Sequence, residues 1–133
     1  MVSELPGWVN ALFALGIALV LAHELDAMRA REWRLLFVLR RMPEEHARKA
    51  FVLVHVPLVA GLIWLCTHPA LEVRLASQIA FNLFLIVHAG LHWRLSGHAF
   101  YDFHNNVSRG LIVGAAVVGA LHLSVIAALL AQA

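Results

Sequence analysis

The sequence predicts an all-α integral membrane protein, a four-helix bundle that uses residues 1–133 as one membrane domain. The chain is 62% hydrophobic and only 14% charged, where a soluble domain carries about 25% charged residues. Four stretches contain no Asp, Glu, Lys or Arg: Leu5 to His23, Ala50 to Leu71, Leu75 to Trp93 and Gly110 to Ala133. Each is close to the ~20 residues that cross a ~30 Å hydrocarbon core. Lipid offers a bare backbone no hydrogen-bond partner, so the spans are expected as helices, near 7–28, 48–68, 73–95 and 106–131. Little chain is left for a soluble domain.

Met1 to Trp8, at the start of the first run, includes Glu4 and lacks a basic n-region. The run therefore reads as a retained span and not as a cleaved leader. The second contains Pro57, which removes one backbone bond and is expected to kink the helix and free a carbonyl near His55. The third carries Gln78 and Asn82 on one face, groups suited to bonding across helices. The fourth carries Gly110 and Gly114 as G-x-x-x-G, which can bring helices close within the monomer or in a homodimer. A lone cysteine, Cys66, excludes an intramolecular disulfide and a cysteine metal cluster.

Basic residues set the expected orientation. Arg29, Arg31, Arg34, Arg40, Arg41, Arg48 and Lys49 lie between spans one and two, and Arg94 and Arg109 between three and four; only Arg74 lies between two and three. The positive-inside rule then puts both basic connections in the cytoplasm and both termini outside, as in a bacterial inner membrane. These charges are accounted for by topology and no recognition module accompanies them, so nucleic-acid binding is not expected. Trp8 and Trp64 fall at expected outer ends and Trp33 and Trp93 at inner ends, where indoles settle at headgroup level.

Nine histidines are many for so short a membrane chain. His23, His46, His55, His88, His92, His98 and His104 map to or near the cytoplasmic side, and His68 and His122 to the outer half. His88 and His92 are four apart and share a helix face, as do His23 and Asp26, three apart; Glu24 is turned by about 100°. Ionisable groups at depth cost about 2.5–3.5 kcal/mol each near the membrane centre. A divalent ion offsets that cost by giving imidazoles and a carboxylate one partner. The expected ligands are His23, Asp26, His55, His88 and His92. His104 and Asp102 are expected as a lid or supporting groups, with Glu24 and His104 moving protons. Mixed imidazole and carboxylate ligands suit zinc, iron or manganese, as one ion or two. His46 and His98 read as solvated interface residues, and His122 as a packed core histidine.

At "HELDAMRAREW", followed by "NLFLIVHAGLH", the chain is similar to small four-helix bacterial membrane proteins grouped by an H-x-x-E-E motif. Asp26 stands here where that motif has its first Glu and Ala27 where it has its second. The resemblance implies a metal-binding membrane protein and brings no settled activity. "HAGLH" also resembles the first histidine box of membrane di-iron hydroxylases and desaturases in site design, without the paired His-His of their other boxes. Zinc proteases of the H-E-x-x-H type are excluded, because no histidine stands four residues after His23.

Three functions follow from these residues. One is an intramembrane metal-dependent hydrolase or oxidoreductase acting on a hydrophobic or lipid-like molecule. A second is a metal-ion or proton transporter, which needs polar groups through the whole membrane, although the outer halves of spans one and four offer only Asn10, His122 and Ser124. A third is a haem-binding or structural accessory subunit, with facing histidines as axial ligands.

Overall fold

Each apolar run folds as one helix: α1 Gly7–Ala30, α2 Glu44–Cys66, α3 Leu71–Leu95 and α4 Asn106–Ala131. The computed structural model describes residues 5–132; Met1 to Glu4, on which the leader reading rests, lie outside them. All four helices are long and apolar enough to cross a membrane, the marks of an integral membrane protein. Two 3₁₀ turns, Glu32–Arg34 and Leu39–Arg41, fill the α1–α2 connection. For brevity, the end of the bundle with the α1–α2 and α3–α4 connections is called the basic end.

The helices are not equal partners. α4 packs along both α1 and α3, so these three form the core of the bundle. Small residues allow the close approach: a Cβ on Gly119 would lie 3.1 Å from the carbonyl oxygen of Asn82, and one on Gly16 would lie 3.4 Å from Leu85. The G-x-x-x-G glycines differ from these. Gly114 faces Leu19 of α1 at 3.7 Å, whereas a Cβ on Gly110 would meet nothing within 4 Å. Phe13, Val20, Phe81, Leu85 and Ala115 make the apolar middle of the core.

Helix α2 stands off from α1. It touches α3 and the α1–α2 connection, and buries only Ala47, Phe51 and Cys66. Glu44 and Glu45 sit in its first turn, where carboxylates favour the helix dipole. Pro57 lies within α2 and the helix continues through it.

A second apolar cluster closes the basic end, with Ala27, Ala30, Trp33, Phe51, Phe103 and Ile112 buried together. Trp33 thus departs from its expected headgroup position. It is 2% exposed, and its Nε1–H donates to Glu44 Oε1 at 3.1 Å. The tight turn after α1 swings it inward instead of letting it follow the helix outward. Trp8, Trp64 and Trp93 do face outward.

The candidate metal centre

α1 presents three polar faces to three neighbours. His23 faces α3, where its Nε2 lies 3.0 Å from Nε2 of His88. The His23 ring also lies 4.9 Å from that of His92. The fourth member is Glu32, from the turn after α1. Its carboxylate oxygens lie 3.3 Å from His23 Nε2 and 3.5 Å from His92 Nε2. One ligand atom from each of His23, Glu32, His88 and His92 fits within 4.8 Å of every other, so the group could hold a metal ion. An ion with four tetrahedral ligands at about 2.0–2.1 Å sets neighbouring ligand atoms about 3.3–3.4 Å apart. The separations of 3.0, 3.3 and 3.5 Å, the last two from different oxygens of Glu32, bracket that edge.

The contacts face inward to one another instead of pairing off. Glu32 Oε2 has no aligned hydrogen bond although His23 Nε2 is 3.3 Å away. Burial pushes the Glu32 carboxyl up, but the adjacent His23 and His92 outweigh it and hold the group at about 2. It is therefore a carboxylate at neutral pH. His23 is 1% and His92 4% exposed.

Glu32 reaches the site because of Arg31. This residue ends α1 in the left-handed region, with φ 53° and ψ 49°, and is the one non-glycine residue with positive φ among the described residues. Glycine usually occupies such a position, because a Cβ is crowded there. The reversal turns Glu32 back toward His23 instead of onward into the connection. A glutamate before "WRL" in a basic loop carries no local signal of this. The left-handed turn that brings it to the group is invisible at an arginine.

Other expected ligands lie elsewhere. Asp26, three residues beyond His23, is turned about 60° around the helix and faces α4 instead of α3. It accepts from Arg29 Nε at 2.8 Å and from the Ser108 hydroxyl. Arg29 continues to Asp102, with Nη1 3.0 Å from Oδ2 and Nη2 2.9 Å from the carbonyl oxygen. Asn105 caps α4 by accepting from Ser108 N at 2.9 Å. Arg29, expected as a topology anchor, thus ties α1 to α4 and to the α3–α4 connection. Asp26 is part of that tie and not of the four-residue group.

His55 likewise stands apart, on α2. Its Nδ1 lies 2.6 Å from the carbonyl oxygen of Phe51, which can only accept, so Nδ1 carries a hydrogen. That leaves Nε2 facing Glu24 Oε2 at 3.0 Å. Glu24, adjacent to His23 but turned toward α2, therefore faces His55 beside the four-residue group.

The α3–α4 connection covers the group through a different residue from those expected. Residues 101–104 lie outside regular secondary structure, and their exposure alternates. Asp102 and His104 are exposed, while Phe103 between them is 0% exposed. The Phe103 ring lies 4.7 Å from His92 and 5.4 Å from His23. His104 packs its ring 5.1 Å from Tyr101 and lies outside the group. His46 is exposed and His98 half-buried near Arg40. In the other half of the bundle, His122 Nδ1 lies 2.7 Å from Asn82 Nδ2, and Gln78 Nε2 donates to the Cys66 carbonyl at 3.2 Å.

Fold and site together define a four-helix membrane protein with a partly buried three-histidine, one-glutamate cluster at one end. The chain belongs to a family of unknown function, DUF6713, whose family model matches residues 9–129. No curated protein and no solved structure matches the chain.

Proposed function

We propose that His23, Glu32, His88 and His92 bind a divalent transition metal, zinc or iron, and that the protein is an intramembrane metal-dependent enzyme acting on a hydrophobic or lipid-like molecule. The observation that carries this reading is the convergence of four ligand atoms within 4.8 Å, three of them from membrane-crossing helices. Neutral imidazoles and one carboxylate are the donor set of catalytic zinc and of non-haem iron. Such an ion, once bound, supplies activated water for hydrolysis or activated oxygen for oxidation. The chain's own contribution is to keep the site dry and to move a proton. Phe103 covers one side, and the Glu24–His55 pair stands beside it as proton donor and acceptor. The similarity of "HELDAMRAREW" to the H-x-x-E-E group points the same way. The distribution of basic residues supports a cytoplasmic position for the basic end.

The test is elemental analysis of detergent-purified protein, with a visible spectrum, beside a His88→Ala, His92→Ala double variant. Stoichiometric metal in the wild type, lost from a variant that keeps its helical content, is the expected result. Wild-type protein that takes up no zinc or iron when these are supplied sinks the reading.

The Asn82–His122 pair gives a transporter reading a foothold in the other half of the membrane. Against it, Phe81, Leu85 and Val20 pack as an apolar layer between that pair and the four-residue group. Proton or zinc flux into vesicles containing the protein, above that of empty vesicles, would favour this reading over the enzyme.

A further inference from the structure

Because α2 stands off from α1, a groove of about 380 Å³ remains between α1, α2 and α3. Its walls are apolar, among them Leu58, Leu62 and Phe84, and its polar lining comes from Glu24 and His55. It follows α2 from His55 to Leu65, about 15 Å at 1.5 Å per residue, or half of a ~30 Å hydrocarbon core. That is the depth one acyl chain occupies in one leaflet. The groove also leads to the candidate centre: Phe84 in its wall has its ring 5.3 Å from that of His88, and Glu24 follows His23 in the chain.

The polar end defines the head of the occupant. Glu24 Oε2 is buried without an aligned hydrogen bond, and His55 Nε2 lies 3.0 Å from it. A hydroxyl both donates and accepts, so one such group can serve the carboxyl and the imidazole together. An ionised carboxylate or phosphate head offers acceptor oxygens only and has no hydrogen to give the orphaned Glu24 oxygen. We propose that this groove binds a neutral, hydroxyl-bearing single-chain lipid from the bilayer, its chain along Leu58, Leu62 and Phe84 and its hydroxyl at Glu24 and His55. This names the substrate class of the proposed enzyme and rests on that reading for its role as substrate.

Gly61 makes the proposal testable without disturbing the core. It lines the groove, and a Cβ there would meet no atom within 4 Å. Leucine at this position adds bulk to the groove wall from an open Cβ position. The metal-supplied wild type in phosphatidylcholine nanodiscs is irradiated with octadecanol carrying a mid-chain diazirine, and the adducts are mapped by mass spectrometry. Saturable labelling of the groove walls, competed by plain octadecanol and at least tenfold less well by octadecanoate, is expected. Gly61→Leu should cut it at least fivefold, while Gly110→Leu, also on an open surface, should leave it unchanged.

Labelling that does not saturate, that spreads evenly over lipid-facing helices, or that survives Gly61→Leu overturns the groove. Equal competition by octadecanoate overturns the neutral head. Metal content measured on the same samples separates this proposal from the enzyme reading. Saturable labelling without metal uptake removes the metal centre and leaves the groove. Stoichiometric metal without saturable labelling removes the groove alone.

Discussion

At the level of single residues, the decisive contrast is between Glu32 and Asp26. Both are carboxylates within ten residues of His23, and only Glu32 shares the four-residue group. Glu32→Ala is expected to lower metal affinity at least tenfold, measured by competition with a chelator. Asp26→Asn should leave metal content unchanged and lower the thermal unfolding temperature, because it weakens the bonds to Arg29 and Ser108. Protons compete for the ligand atoms, so metal should be released as pH falls, followed by equilibrium dialysis. The carboxylate of Glu32 adds nothing to that release, since it is held at about 2. Its own contribution has the opposite placement. A carboxyl depressed from its usual 4.5 stabilises the fold above 4.5, and that stability is lost as pH falls towards 2. Glu32→Gln should accordingly flatten the acid limb of the metal-free protein's unfolding curve.

At the level of elements, the left-handed turn at Arg31 and the glycine crossings carry the geometry. A non-glycine residue in this region costs about 1–2 kcal/mol. Arg31→Gly should relieve part of that, raising stability by roughly 0.5–1 kcal/mol with metal retained. Arg31→Val, β-branched and poorly suited to positive φ, should destabilise and lose metal together, because Glu32 swings out. Metal content and thermal unfolding in detergent check both. Gly119→Ala drives a methyl against the α3 backbone and should cost roughly 1–3 kcal/mol. Gly110→Ala, facing open space, should not destabilise. The sequence pattern marked Gly110 and Gly114 for close packing. The tightest approach instead belongs to Gly119, which forms no motif with another glycine and so had no signal of its own.

At the level of the whole molecule, the charge-free runs and the basic connections make a prediction about sidedness. Alkaline phosphatase fused after Gln132 should be active, and the same enzyme inserted at Phe37, in the α1–α2 connection, should be inactive. The reverse pattern would turn the basic end, and with it the four-residue group, to the outside. The bundle also has an internal asymmetry. α1, α3 and α4 form the packed core, while α2 leans away and leaves a lipid-facing groove beside the Glu24–His55 pair. Without such a gap, a site this deeply covered by Phe103 would have no apolar approach.

Much of this was legible in one dimension. Hydrocarbon thickness sets a length that a charge-free run either meets or misses, so four helices could be counted from composition alone. His88 and His92 were found because a four-residue spacing on a helix guarantees a shared face, and His23 because it ends an apolar run where a lone imidazole is costly. What the sequence could not decide was which carboxylate joins them, which helix receives each face of α1, and which residue of the α3–α4 connection covers the site. Asp26, Glu24 and His55 were all plausible by spacing, since a helix fixes angles between its own side chains but not the neighbours those angles meet. Only packing assigns α3 to His23, α4 to Asp26 and α2 to Glu24. Only the backbone reversal at Arg31 brings Glu32 home, and a reversal is a property of φ and ψ that an arginine does not advertise.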